Sequence, residues 1–169
     1  MRRPPEFQVS DHERIREVVY RYARGIDRRD LDAVRACYHA DASDDHGPYS
    51  GGVDGFINFV RGELERWPVT THFIGNVLIE LHGRRARVES YAHVTHRGHP
   101  RDDGSVRDLT SGVRYVDDFE ERDGEWRIAR RVCVNDWNRL TVIPAGEALP
   151  DSPYARPGHY PDDPVYTPI

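Results

Sequence analysis

An aspartate and a histidine carry the chemistry this sequence offers most plainly. Asp27 stands in "YARGIDRRD" and His72 in "VTTHFIGN". A carboxylate beside an imidazole fixes the ring's tautomer and stabilises its protonated form, so the other ring nitrogen becomes a general base near neutral pH. Asp27 needs such a partner. Counting about 100° per residue from Ile15, the apolar positions Val18, Val19, Tyr22, Ala23 and Ile26 form one helical stripe, and Asp27 lies at its border, about 40° beyond Ala23. It also falls in the last turn, where the helix dipole disfavours an acid by about 0.3–1 kcal/mol. Either Arg24, Arg28 or Arg29 compensates as a solvated pair worth little, or an imidazole does.

His72 opens a long strand in which Thr70, His72, Ile74 and Asn76 share one face, so the ring looks inward if Ile74 does. A later strand offers Arg131, Cys133 and Asn135 on one face, and an intervening one offers Tyr91 and His93 on the face opposite Ala92. These would line a small cavity. Tyr91, His93 and Asn135 are expected to contact substrate. The run "DASDDHG" could add a base or contact at the rim through Asp45 or His46, although a loop of solvated charges is the simpler reading. Tyr22 lies in the middle of the apolar stripe, where a core tyrosine with a bonded hydroxyl competes with a catalytic acid. A buried Arg131 would require an anionic partner.

The elements that must position these groups follow from spacing. Ser10 and Glu13 form an S-x-x-E box ahead of the first helix, which stops near Asp27; Asp30 caps a shorter second helix with Leu31, Val34, Cys37 and Tyr38. "HADASDDHGPYSGG" reads as a loop or short edge strand. Phe56, Ile57, Val60, Leu64 and Trp67 mark a third helix, ended by Pro68. From Thr70 the pattern becomes a four-strand antiparallel meander with turns at His82-Gly83 and Asp123-Gly124. Helices followed by a curved sheet make an α+β fold. Three short helices cover one sheet face only partly, leaving a cone-shaped hollow towards which Asp27 would point. The domain is expected over residues 1–140. Residues 141–169 hold seven of the twelve prolines and are expected to form an extended tail over a neighbouring subunit or the pocket mouth.

Composition narrows the function. With 24 basic and 29 acidic residues the net charge is −5, and no basic run tracks a phosphate backbone, so nucleic acid is a poor partner. No stretch is apolar enough to span a membrane or to serve as a secretion signal. Cys37 and Cys133 lack metal or disulfide spacing, which fits a reducing cytoplasm. "HVTHRGH" places His93, His96 and His99 three apart, but in a strand His93 and His96 face opposite sides, and no metal site is expected. Phosphate loops and serine-nucleophile elbows are missing, and no cofactor is expected.

The succession "RYARGIDRRDLDAVRACYHADA", "GPYSGGVDGFINFV", "THFIGNVLIEL", "RYVDDFEERDGEWRIARRV" resembles the SnoaL-like branch of the nuclear transport factor 2-like superfamily over roughly residues 8 to 140. The resemblance implies a cone-shaped α+β barrel like those of scytalone dehydratase, bile acid 7α-dehydratase and hexachlorocyclohexane dehydrochlorinase. It implies a dyad of Asp27 and His72, a dehydratase-type tyrosine at Tyr22 and a final-strand arginine at Arg131. Tyr22 stands where the dehydrochlorinase pattern suggests a basic residue, which favours loss of an oxygen leaving group. The expected activity is therefore a cofactor-independent lyase of the dehydratase type, acting on a small cyclic or polyketide-like substrate. An isomerase or cyclase would use the same dyad. A non-catalytic small subunit of an aromatic-ring dioxygenase would share the fold without needing it. The resemblance also implies a homo-oligomer, trimer or dimer.

Overall fold

The computed structural model describes residues 9–147 and 157–168. Helix α1 (Asp11–Arg28) begins where the Ser10 side chain accepts a hydrogen bond from the Glu13 N–H at 3.3 Å. It ends at Arg29, which adopts a left-handed conformation (φ 57°). The Arg29 guanidinium donates to the carbonyls of Leu64 (2.6 Å) and Pro68 (3.2 Å), satisfying acceptors at the end of another helix and holding this corner together. Asp30 then accepts from the Ala33 N–H and starts α2 (Leu31–Ala36).

Of the two readings of the segment after α2, loop or short edge strand, the structure has strand. β1 (Tyr38–Asp45) turns into β2 (Ser50–Gly52), which leads directly into α3 (Val53–Arg66). The residue after α3, Trp67, is extended because Pro68 follows it. β3 (Val69–His82), β4 (Arg85–Arg97), β5 (Val106–Arg122) and β6 (Glu125–Ile143) form the expected antiparallel meander. The β5–β6 hairpin closes at Asp123-Gly124, both with positive φ, the geometry that matches strand twist.

The sheet order is β2-β1-β6-β5-β4-β3, and β1 runs parallel to β6. The sheet is therefore mixed and open: the expected antiparallel meander is its β3–β6 part, to which β1 and β2 add at the β6 edge. Parallel pairing is possible because β2, α3 and the β3–β5 strands lie between β1 and β6 in sequence and supply the long crossover that a parallel pair needs. Register breaks in β3–β4, β5–β6 and β1–β6 bend the strands around the helices and give the cone shape. Ile15, Val19, Tyr22, Ala23 and Ile26 of α1 bury their stripe, with Val88, Tyr115, Phe119 and Ile128 in the sheet-side core. Each of the isoleucine, valine and phenylalanine side chains among them contributes about 1.5–3 kcal/mol of transfer free energy.

β6 continues three residues past 140. Residues 157–168 return to their own chain, where the Tyr160 N–H donates to the Arg28 carbonyl (2.7 Å) and Asp163 pairs with Arg28 (3.5 Å). A short 3-10 turn, Pro164–Tyr166, completes the segment. This part of the expected tail thus packs on the corner between α1 and α2. Among the described residues, no helix is long and apolar enough to cross a membrane.

Candidate active site

Asp27 and His72 meet. The last turn of α1 presents the carboxylate to the first residues of β3, where three donors converge on it. His72 Nδ1 lies 2.6 Å from Oδ1, the His72 backbone N–H donates to Oδ2 at 2.8 Å, and the Thr70 hydroxyl donates to Oδ1 at 3.0 Å. These bonds compensate for the carboxylate's place at the negative end of the helix. Both side chains are largely buried, with 12% of Asp27 and 6% of His72 exposed. With Nδ1 held by Asp27, Nε2 is the nitrogen left for chemistry.

His72 lines a cavity of about 410 Å³ between α1, α3 and the sheet. Its apolar wall comes from Ile26, Phe59, Val60, Leu64, Val94 and Val113. Polar groups enter from Tyr22, His46, His96, Ser111, Tyr115 and Asn135. A few convergent polar groups in an apolar hollow are what a small-molecule site requires.

The other expected site residues separate into those that reach this cavity and those that do not. Tyr22 reaches it, and burial pushes its phenol well above the ordinary range. Asn135 reaches the rim. A register break between Gly112–Val113 and Asn135–Trp137 lets Asn135 and Asn138 both face inward, with Asn138 accepting from Asn135 (2.9 Å) and from Ser111 (2.7 Å).

Arg131 does not line the cavity. It is fully buried beneath it, donating two 2.7 Å hydrogen bonds to Asp117, with its guanidinium 4.0 Å from the Tyr22 ring centre and 4.3 Å from that of Tyr115. Burial opposes its charge, but Asp117 and the neighbouring tyrosines hold the guanidinium protonated. The anionic partner required by a buried arginine is thus internal.

Tyr91 and His93 are corrected as cavity residues. β4 turns Ala92 and Val94 inward, so by alternation Tyr91 and His93 stand on the outer sheet face, Tyr91 near Arg114 and His93 against Trp137. Asp45 is also exposed on the outer side of β1, because Ala42 and Asp44 take the inward positions. The three histidines of "HVTHRGH" are parted: His93 points outward, His96 lines the cavity, and His99 hydrogen-bonds the Glu65 carbonyl.

Two further groups belong to the cavity in ways the sequence did not assign: His46 was read as one of two possible rim residues without its pairing to Asp44, and His96 only as part of a histidine cluster. The first is a second acid–imidazole pair: buried Asp44 accepts from the Tyr38 hydroxyl (2.7 Å) and contacts His46 Nδ1 (2.9 Å). The signal was the period of two through Ala42, Asp44 and His46. It shows only once the segment is read as a strand. The second is His96, with its ring centre 6.1 Å from that of His72 and its buried Nδ1 without a hydrogen-bond partner. Burial, and then the nearby His72, lower its pKa to about 4, so it is neutral at pH 7.

A curved sheet covered on one face by three helices, with an acid–imidazole pair in the hollow, defines a pocket protein of the nuclear transport factor 2-like superfamily. Within it, the chain belongs to the SnoaL-like domain family, whose model matches residues 8–132. Uncharacterized proteins of Mycobacterium tuberculosis H37Rv (Rv2910c) and Mycobacterium bovis (Mb2934c) are 29% identical over 139 residues, covering 79% of this chain and 90% of theirs. Among solved structures, a protein proposed to be a scytalone dehydratase from Novosphingobium aromaticivorans superposes with TM-score 0.67 at 19% identity, over 84% of this chain and 95% of that one. Hexachlorocyclohexane dehydrochlorinase LinA-type3 from Novosphingobium barchaimii superposes with TM-score 0.67 at 16% identity, over 77% and 89%. At these identities the likeness establishes the fold.

Proposed function

We propose that the protein is a cofactor-independent lyase of the dehydratase type. In this reading His72 Nε2 takes a proton from a carbon next to an electron-withdrawing group, while Asp27 holds the ring and stabilises its cation. The observation that carries it is the 2.6 Å contact between Asp27 and His72 at the wall of a largely apolar cavity. Tyr22 is the donor that meets the developing oxyanion, a role in which one well-placed group is worth about 3–4 kcal/mol. The names of the structural neighbours, a dehydratase and a dehydrochlorinase, support elimination. Double-bond migration or ring closure would begin with the same proton abstraction. The cavity suits a small, partly apolar ring.

The test uses cyclic β-hydroxyketones in D2O with the purified protein, followed by NMR. Exchange of the carbon-bound proton and release of the enone above the buffer rate are expected. If neither occurs with any member of a varied set, the lyase reading fails and a binding role remains.

We also propose that the chain is cytoplasmic and forms a homo-oligomer. The support for the first is its unpaired cysteines, Cys37 and Cys133. The support for the second is an aromatic stripe across the outer sheet face. Phe73 pairs with His93, His93 with Gly112, and Gly112 with Trp137. Phe73 and Trp137 are 71% and 46% exposed. The Trp137 indole covers Gly112 so closely that a Cβ there would lie 2.2 Å from Nε1. The double variant Phe73→Ser/Trp137→Ser should shift the mass measured by light scattering towards monomer. An unchanged mass would remove this face from the interface.

A further inference from the structure

We infer that His46 is the general acid of this site, delivering a proton to the departing oxygen from a different wall of the cavity than His72. The inference rests on the lyase reading above and adds to it the group that completes the elimination. One wall of the hollow carries His72 backed by Asp27, from β3 and α1. Another carries His46 backed by Asp44, from the end of β1. Both rings line the same cavity.

The surroundings of the two rings differ in kind. Asp27 sits near the surface end of α1 and is held by two donors besides the ring, the Thr70 hydroxyl and a backbone N–H. Asp44 is 1% exposed and belongs to a buried chain in which Arg131 is bound to Asp117 and touches the Tyr38 hydroxyl at 3.4 Å, while that hydroxyl donates to Asp44. The His46 ring is packed between Phe56 (centres 5.0 Å apart) and Tyr115 (6.0 Å).

Near the ring are Asp44 on β1, Tyr115 and Asp117 on β5, Cys133 on β6 and His96 on β4, with Glu63 of α3 lining the same cavity, while Arg131 is held by Asp117 below. Burial works against the charge of His46. Its hydrogen bond with Asp44, helped by the nearby Cys133, outweighs that and lifts the pKa to about 9. The ring is therefore an imidazolium at neutral pH, with one N–H on Asp44 and the other towards the cavity. A thiol is a weak acceptor, so a substrate oxygen can take the place of Cys133 at little cost.

The step balances without any added reagent. The C–H bond breaks and its proton goes to His72 Nε2. The electron pair becomes the new carbon–carbon π bond, and the carbon–oxygen bond breaks with its pair on oxygen. That oxygen takes the proton of His46 and leaves as water. His72 then loses its proton to solvent while His46 regains one. A hydroxyl is a poor leaving group without such a donor, whereas an acidic phenol or a halide leaves unaided. The site is thus matched to substrates that lose hydroxide.

A pair of substrates tests this directly: a cyclic β-hydroxyketone loses hydroxide, whereas 5-nitro-1,2-benzisoxazole gives up a carbon-bound proton and expels an acidic phenolate. His46→Gln should lose about 10²-fold in kcat/KM on the hydroxyketone, within the usual range for one acid–base group, and under about threefold on the nitro compound. Asp44→Asn, which keeps the shape, should show the same pattern with a smaller loss. Equal losses on both compounds, or none on either, overturn the assignment.

Two measurements need no turnover. 2-Cyanophenolate, an anion whose oxygen stands in for the departing one, should bind the wild type at least tenfold more tightly than His46→Gln, and equal affinity overturns the assignment. Imidazole 15N NMR should find His46 doubly protonated at pH 7.5 and titrating near pH 9. A neutral ring at pH 7.5 overturns it as well. His72→Ala separates the two readings: if it turns over 5-nitrobenzisoxazole like the wild type, the proton-abstraction reading fails whatever His46 does.

Discussion

His72→Ala should lower kcat/KM for elimination by about 10²–10⁴-fold while leaving the fold intact, the contribution of a positioned base. Fold and function can be separated here because of how Asp27 is held. Of the three donors on that carboxylate, the ring supplies one; the His72 backbone N–H and the Thr70 hydroxyl remain after truncation. The acid is therefore not orphaned, and the stability loss should stay near the net value of one hydrogen bond, about 1 kcal/mol. Thermal melts alongside turnover on cyclic β-hydroxyketones make the check. Asp27→Asn should follow in activity, because an amide cannot stabilise an imidazolium and keeps only one acceptor oxygen where the carboxylate uses two. Should His72→Ala lose its melting transition together with its activity, the ring would be a structural strut and the proposed chemistry would lose its base.

How much of this was legible depended on whether the chain's local rules were also its global ones. Ser10, Asp30 and Pro68 act within a few residues, and each delimits the helix it was expected to. The apolar periods of α1 and α3 became core because one stripe must be buried against something. His72 could be placed beside Ile74 by alternation alone, and Asp27 stood out because an acid at a helix's C-terminal end needs a partner. The misses share one cause, which is that facing depends on pairing partners far away in sequence.

In β4 the choice between the Tyr91–His93 face and the Ala92–Val94 face turns on small apolar residues, and alanine is too weak a signal to settle it. The run "DASDDHG" has loop composition, yet it forms a strand because β6 supplies a parallel edge for it to bond. That pairing points Asp44 and His46 inward and Asp45 out. The inward turn of both Asn135 and Asn138 depends on the register break opposite Gly112–Val113. Alternation alone would have turned Asn138 outward.

Arg131 shows the same dependence and carries the largest expected loss of stability. Its place on an inward face was legible, and so was the need for an anion, but the anion is Asp117 on the neighbouring strand. Asp117→Asn should cost about 3–5 kcal/mol, because it strands a fully buried guanidinium that has no route to water. For a chain of this size that is a fall of roughly 6–20 °C in Tm, read by calorimetry.

The tyrosines do not cushion the loss. Cation–π contact with Tyr22 and Tyr115 is worth about 0.5–2 kcal/mol, too little to offset desolvation of a full charge. The double variant Arg131→Met/Asp117→Leu removes both charges at once and should recover most of the stability, since an apolar pair avoids the desolvation cost. A single Asp117→Asn variant that melts with the wild type would mean that water or another acceptor reaches Arg131, and that the floor of the cavity is wetter than its packing implies. If the double variant is no better than the single, the pair is held for more than its charge. The chain from Arg131 through Tyr38 to Asp44 would then be the connection by which the buried floor sets the position of His46.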